Sequence, residues 1–114
     1  MSKRNDKLLL LDILDSIHKI LIYTKGLDFR TFVKDQKTID AVVRNIEIIG
    51  EASKHVSKKL KDKSVVPWIR IVGMRNRIVH EYFGVDLKIV WKIINEQLID
   101  FEEAIKKVIT LTEK

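Results

Sequence analysis

The stretch that most strongly decides the fold runs from Trp68 to Gly84 and reads WIRIVGMRNRIVHEYFG. Apolar residues recur in it every three or four positions, as on the buried side of an α-helix: Trp68, Ile71, Val72, Ile78 and Val79. Pro67 suits the first helical position because its φ is already helical, and Gly84 suits a C-terminal cap. We therefore predict a helix from Pro67 to about Tyr82. Within it lies an unusual concentration of polar side chains that can bind phosphate, move protons or carry a covalent group: Arg75, Asn76, His80 and Tyr82.

The sequence on either side of this stretch predicts further amphipathic helices. We expect a first helix from about Asp6 to Lys25 and a short one from Phe29 to Val33, capped by Asp28. A long helix should follow from about Thr38 to Lys61, and a last one should run from an Asp86 cap to near the C-terminus. These elements predict an all-α fold, an antiparallel bundle of four main helices plus one short helix, in a single domain spanning residues 1–114.

The composition excludes several classes of protein. With only 4 glycines and 1 proline in 114 residues, an all-β architecture with many tight turns is not expected. The sequence has no cysteine, so disulfides, thiolate metal sites and a cysteine nucleophile are excluded. We find no apolar run long enough to cross a bilayer and no signal peptide pattern at the N-terminus, and we expect a cytoplasmic protein without a membrane partner.

Positive charge is concentrated in one segment. The chain carries a net charge of +6, and residues 54–77 account for eight cations against one anion, +8 − 1 = +7, so the remainder sums to −1. A clustered basic face is typical of a polyanion-binding protein, although a solvated lysine-rich surface would give the same pattern. The candidate RNA-binding residues in this segment are Lys58, Lys59, Arg70 and Arg77.

Two glycines and a glutamate within the predicted helices carry further expectations. Gly50 and Gly73 each interrupt an apolar pattern, and we expect both to allow a neighbouring helix to approach closely. Glu51 has two interpretations, an exposed surface residue or a buried partner of an arginine on the next helix. We expect His18 to be a surface or boundary residue and His55 to be solvated.

The spacing of the polar cluster favours a site shared between two chains. Asn76 and His80 are four residues apart and lie on one helix face, whereas Arg75 and His80 are offset by about 140° and about 7.5 Å along the axis. Two such helices meeting across a two-fold axis would each deliver an arginine and a histidine into one cleft. No carboxylate pair is placed to hold Mg²⁺, so the cluster favours metal-independent chemistry, although a helix-terminal histidine and an arginine also occur in purely structural roles.

Histidine and arginine together can cleave RNA without a cofactor. The ribose 2′-OH is the nucleophile, histidine moves the proton, and arginine stabilises the charge that develops on the phosphate. DNA lacks this hydroxyl, so the chemistry requires RNA.

The segment Arg75-Asn76-Arg77-Ile78-Val79-His80-Glu81-Tyr82 resembles the HEPN superfamily, and most closely its HepT-type toxins, whose signature is Arg, four residues, His, one residue, Tyr. The resemblance covers nearly the whole chain. Further landmarks occur in the family's usual order: Ile48-Ile49-Gly50-Glu51-Ala52, Pro67-Trp68, Gly73-Met74, and Gly84-Val85-Asp86 through Trp91.

The resemblance implies a HEPN-like helical homodimer with ribonuclease activity at its interface. Arg75 and His80 would be the catalytic pair, and Asn76 would orient the site. It also implies a toxin–antitoxin system, in which a small MNT-type nucleotidyltransferase acts as antitoxin by transferring AMP to Tyr82. The alternative is a non-catalytic nucleotide-binding or scaffolding partner of that nucleotidyltransferase.

Overall fold

The computed structural model describes residues 5–80 and 86–113, and at positions 77–80 it describes the backbone alone. Over these ranges the chain is helical, which confirms the predicted all-α class, and no described residue lies in a β-strand. The helices are α1 (Asp6–Thr24), α2 (Phe29–Phe32), α3 (Gln36–His55), α4 (Lys58–Asp62), α5 (Trp68–His80), α6 (Leu87–Glu96) and α7 (Leu98–Thr112).

Side-chain caps fix where several helices begin. Asn5 accepts a hydrogen bond from the Leu8 N–H at 2.9 Å at the start of α1. Asp28 and Thr31 form a reciprocal capping box on α2. Asp35 accepts hydrogen bonds from the N–H of Thr38 at 3.1 Å and from its hydroxyl at 2.7 Å, so α3 begins two residues before the predicted Thr38.

Helices α1, α3 and α7 form the centre of the bundle, and α1 runs antiparallel to the other two. Lys7 near the start of α1 pairs with Glu113 just beyond α7, and His18 further along α1 pairs with Glu102, so the two helices run in opposite directions. Asp6 at the start of α1 accepts hydrogen bonds from Ser57, just past the end of α3. The side chains packed between the helices include residues that are completely buried: Leu10, Ile13, Ile17, Ile20, Val42, Ile46, Ile49, Leu98 and Ile105.

The predicted long helix from Thr38 to Lys61 is wrong, because the chain leaves the helical conformation after His55. Val56 is extended, with ψ of 137°, and its side chain is buried. Ser57 then caps α4 by accepting from the N–H of Leu60 at 3.2 Å, while its own N–H donates to the Asp6 carboxylate at 2.9 Å. A tertiary hydrogen bond to α1 therefore stabilises the break.

The predicted single C-terminal helix is also divided. Asp86 caps it as expected, accepting from the Lys88 N–H at 2.9 Å, but Gln97 has φ of −118° and separates α6 from α7. No side chain caps α7 at this break. Trp91 of α6 packs against two aromatic rings of the α2 segment, with ring centroids 6.3 Å from Phe29 and 4.9 Å from Phe32. None of the described helices is long and apolar enough to span a membrane.

Candidate active site

Helix α5 carries the candidate catalytic residues and packs mainly against α3. It begins one residue after Pro67, whose carbonyl accepts from the Ile71 N–H at 3.1 Å. The indole N–H of Trp68 donates to the Ser64 hydroxyl at 2.8 Å and fixes this end of the helix. Ile71 and Met74 are buried on the side that faces the core.

Gly50 is the point of closest contact between α3 and α5. A Cβ atom built there would overlap the Cβ and Cγ of Arg75 and lie 3.2 Å from its Cδ. The expectation that Gly50 allows close approach is therefore confirmed, and the residue that it admits is the candidate catalytic arginine. At Gly73 the expectation is wrong, because a Cβ there would have no described atom within 4 Å.

The guanidinium of Arg75 is held by two oxygen acceptors. Its Nη2 lies 3.0 Å from Oε1 of Glu51, and its Nη1 donates to Oδ1 of Asn76 at 2.9 Å. Its Nε is buried and has no hydrogen-bond partner among the described residues. The side chain is 21% exposed, so part of it still reaches solvent. Since arginine stays charged and binds phosphate through paired N–H donors, a partly exposed arginine can interact with a phosphate oxygen.

Glu51 is the arginine partner that one of its two interpretations predicted, although 45% of its side chain remains exposed. Lys54 Nζ lies 3.7 Å from Oε1 of this carboxylate, and His55 Nε2 lies 4.0 Å from Oε2. His55 is itself exposed, as predicted. A single carboxylate therefore balances the cationic side chain of Arg75 and is itself in contact with two further basic groups.

The face of α5 that points away from the core includes the Cα positions of Asn76 and His80. Around the helix axis, Ile69, Gly73, Asn76 and His80 fall within about 60° of one another, on the side opposite Ile71. Ile69 is 89% exposed, Gly73 is exposed and Asn76 is half-buried. We call these four residues the α5 outer line. The helix continues through His80, so the predicted spacing between Arg75, Asn76 and His80 holds for the backbone.

Three of the predicted site residues lie wholly or partly outside the described residues. For His80 and Arg77 the backbone is described, and Tyr82 lies outside the described residues, as do the predicted Gly84 cap and the end of the predicted helix. Of the motif residues whose side chains are described, the structure brings Arg75 and Asn76 together.

The candidate RNA-binding cations do not form one patch with Arg75. Lys58 and Lys59 are exposed on α4, and Lys58 pairs with Asp62 at 3.3 Å. Arg70 is exposed on α5 and lines a different cavity from Arg75. Among the described residues, no group of three His, Cys, Asp or Glu side chains is arranged to hold a metal ion.

His18 is partly exposed, as expected of a boundary residue, and it has a close partner. Its Nε2 lies 2.7 Å from Oε2 of Glu102, which joins α1 to α7. The side chain is partly exposed, and the pair lies on two helices that do not carry the motif. We therefore assign the contact a structural role.

Comparison with known proteins places this geometry in context. The sequence model of a family described as Ribonuclease HepT-like matches residues 13–108. A Methanocaldococcus jannaschii protein named as a putative RNase is 41% identical over 99 residues, covering 86% of this chain and 91% of its own. A Thermococcus cleftensis protein named as a probable ribonuclease HepT is 40% identical over 97 residues, covering 84% and 88%. No solved structure gives a significant match.

Proposed function

The chain belongs to the family of HepT-like ribonucleases, and we propose that it is a metal-independent endonuclease that cuts RNA. We also propose that residues 1–114 form one HEPN-like domain and that the protein acts in the cytoplasm. The observation that carries the nuclease proposal is the arrangement on α5. Arg75 is held by Glu51 and Asn76 while its side chain remains 21% exposed, and the backbone of His80 lies one helical turn beyond Asn76 on the outer line.

The proposed reaction is an internal transesterification. The ribose 2′-oxygen attacks the adjacent phosphorus, the bond from phosphorus to the 5′-oxygen breaks, and the products are a 2′,3′-cyclic phosphate and a free 5′-hydroxyl. His80 takes the proton from the 2′-hydroxyl or gives one to the leaving 5′-oxygen. Arg75 hydrogen-bonds the phosphate oxygens, whose negative charge grows in the transition state. Asn76 holds the guanidinium through its Oδ1 and so orients it.

The geometry of α5 supports a homodimer as the active form. Arg75 points towards α3, and His80 lies about 140° away around the axis, so one helix alone presents them in different directions. A second copy related by a two-fold axis would bring its own outer line against the first. Ile69, an almost fully exposed apolar side chain on that line, would be covered in such a dimer.

We further propose that the nuclease is the toxin of a two-gene system. Its partner would be an MNT-type nucleotidyltransferase that transfers AMP from ATP to Tyr82. The tyrosine oxygen would attack the α-phosphorus of ATP and release pyrophosphate, and the resulting phosphodiester would add negative charge and a bulky base near Arg75. This would block the site against RNA.

The test compares Arg75→Ala, His80→Ala and wild type for cleavage of a single-stranded RNA in the presence of EDTA. We expect both variants to lose cleavage by at least a hundredfold while circular dichroism shows the same helix content. Identification of a cyclic phosphate end by mass spectrometry would support the mechanism. If the purified wild type binds nucleotides or the nucleotidyltransferase but cuts no RNA, the chain is a non-catalytic partner and the proposal is wrong.

The modification is tested separately. Incubation with ATP, Mg²⁺ and the nucleotidyltransferase should add AMP mass to the peptide that contains Tyr82. The Tyr82→Phe variant should remain unmodified. Equal modification of that variant would show that the acceptor lies elsewhere, without affecting the assignment of nuclease activity.

A further inference from the structure

A cavity of about 480 Å³ lies between α5 and α6, beside the outer line and separate from the groove that contains Arg75. Its floor is apolar and consists of Met74, Ile89 and Ile93. Arg70 and Lys92 stand at its rim, and both are exposed. The volume is within the range of about 300–1,000 Å³ that is typical of small-ligand sites.

The charged side chains that line this cavity are both cations. Arg70 and Lys92 line it together with the polar side chain of Gln97, and among the described residues no carboxylate does so. Neither cation forms an ion pair with any described residue. Within the part of the chain that the structure describes, their N–H donors are therefore available to an anion, and the two could share one phosphate group.

The groove that contains Arg75 has the opposite balance. It has a volume of about 450 Å³, and Arg44 and Arg75 lie in it beside three carboxylates: Asp12, Glu47 and Glu51. A polyanion is therefore not expected to follow that groove away from Arg75. Within the described part of the chain, the charged side chains that line the cavity between α5 and α6 are both cations, so a phosphate is expected there and not along the groove.

The cavity is also close to the motif along the helix. Gly73 lines it, and this residue lies one turn before Asn76 and about 10 Å before His80 along the axis. Because Gly73 has no side chain and no described atom stands over it, a ligand can approach the α5 backbone there. A molecule in the cavity could therefore extend over Gly73 towards the motif without meeting a described side chain at that position.

We propose that this cavity binds one nucleotide of the RNA strand, next to the nucleotides joined by the phosphate that is cut. The base would pack on Met74, Ile89 and Ile93, and its phosphate would accept hydrogen bonds from Arg70 and Lys92. The proposal rests on the proposed ribonuclease function and adds a binding residue on α6, Lys92, that lies outside the basic segment 54–77. A single strand is required, because a base stacked and paired in a duplex could not enter an apolar pocket.

A second copy of the chain is a less suitable occupant. In a two-fold interface the same patch occurs on both copies, so cations near the axis would face identical cations. A nucleotide offers the complementary combination of an apolar ring and an anion.

The experiment measures RNA binding apart from cleavage. In a His80→Ala background, which the proposed mechanism makes inactive, a fluorescent single-stranded RNA is titrated with the Arg70→Ala/Lys92→Ala variant and followed by anisotropy. We expect affinity to fall at least tenfold, because two charge-assisted contacts to phosphate are lost. We also expect the slope of log K against log salt to become shallower by about 0.7, because the two cations neutralise one phosphate of a single strand.

A matched control removes two cations elsewhere. Lys37→Ala/Lys107→Ala has the same change in charge, and both lysines are exposed and line neither cavity. Lys92→Glu is a second test, because Arg70 also borders a smaller cavity that contains Glu96 and Asp100, whereas Lys92 does not. We expect Lys92→Glu to weaken binding more than the double lysine control does.

Three results would overturn the inference. One is equal affinity and salt slope for the double variant and the control. Another is a loss of self-association in gel filtration that accounts for the weaker binding, which would mean that the cavity receives a second copy. The third is a higher affinity for double-stranded RNA than for single-stranded RNA. Failure of the ribonuclease proposal would appear instead as absence of cleavage by the wild type, which this binding assay does not use.

Discussion

Gly50 and Arg75 are in direct contact where α3 meets α5, and the contact leaves no room for a side chain at position 50. The Cβ and Cγ of the arginine occupy the space that a methyl group would need. The backbone of α3 therefore supports the aliphatic part of Arg75, while Glu51, the next residue, binds its guanidinium. Two adjacent residues of one helix thus fix both ends of the side chain that we propose to be catalytic.

We expect Gly50→Ala to destabilise the protein even though alanine favours helix. The gain in helix propensity is at most about 1 kcal/mol. Overlap with Arg75 forces the two helices apart, and overpacking of this kind costs about 1–3 kcal/mol. Urea unfolding should therefore show a lower free energy of unfolding. The Gly50→Ala variant should also cleave RNA more slowly than wild type, since Arg75 moves with the helix.

Gly73→Ala is the matched control for Gly50→Ala, because it makes the same change in a helix without meeting any described atom. We expect it to leave the free energy of unfolding unchanged or raise it by up to about 1 kcal/mol. Measurements at several protein concentrations separate protomer stability from self-association, which would make stability depend on concentration. Equal destabilisation by both substitutions would contradict our account of Gly50.

We expect Glu51→Gln to lower kcat for RNA cleavage about tenfold and to leave KM unchanged or lower. The substitution removes the charge that holds Arg75, and a small misplacement of a catalytic group is costly. Since the pair is partly exposed, its loss should change the free energy of unfolding by less than about 1 kcal/mol. Steady-state kinetics and urea unfolding together distinguish positioning from a purely structural role.

Glu47→Gln is the control for charge in the same groove. Glu47 lies one turn earlier on α3 and lines the groove with Glu51, but its carboxylate forms no ion pair with Arg75. We expect its kcat to match wild type. An equal decrease in kcat in both variants would indicate that kcat depends on the charge of the groove and not on the contact between Glu51 and Arg75.

The two helical glycines show how far the sequence could predict the site. The pattern of a glycine inside an apolar helix is the same at Gly50 and Gly73, and it predicted close approach at both. Of the two, only Gly50 has a described residue of another helix, Arg75 of α5, packed directly against it. Which helix faces a glycine depends on tertiary packing, and local sequence does not contain that information. The resemblance read from the motif was confirmed, since it rests on residue identities over the whole chain.

Three of the unpredicted features depend on contacts between residues distant in sequence. The break before α4 is stabilised by hydrogen bonds between Ser57 and Asp6, which are 51 positions apart. Glu51 could be read as exposed or paired until Arg75, on another helix, was placed beside it. Lys92 and Gln97 escaped notice because the cavity that they line is completed by α5, although Ile89, Ile93 and Gln97 share one face of helical spacing.

The lowered pKa of Asp35 leads us to expect a specific change in stability at acid pH. The side-chain hydrogen bond from Thr38, and then the backbone one, lower the pKa of Asp35 below its usual value of about 3.9. A carboxyl whose pKa is lowered by folding stabilises the native state above the unfolded-state pKa. That contribution is lost as the pH falls through the lower native pKa. It is therefore complete at neutral pH and disappears below about pH 4.

The Asp35→Asn variant keeps a capping side chain but cannot titrate. We expect wild type to be more stable than the variant at neutral pH and the difference to shrink below about pH 4. Urea unfolding from pH 7 to pH 3 measures it. If the difference in free energy of unfolding between wild type and variant stays constant from pH 7 to pH 3, the Thr38 hydrogen bonds do not favour the ionised form of Asp35.

Mixing two inactive variants tests whether the active site is shared between chains. In a dimer of Arg75→Ala with His80→Ala, one chain supplies an intact histidine and the other an intact arginine. If a site takes Arg75 from one copy and His80 from the other, one of its two sites is complete. Random exchange makes half of the dimers mixed, so about one quarter of wild-type activity should return.

If instead each chain pairs its own Arg75 with its own His80, every site in the mixture lacks one group and no activity returns. Exchange is verified by native mass spectrometry of the mixture, so that a negative result reflects the site and not a failure to mix. Each variant assayed alone sets the background. Recovery that depends on mixing would locate the chemistry between two α5 helices, as the 140° between Arg75 and His80 leads us to expect.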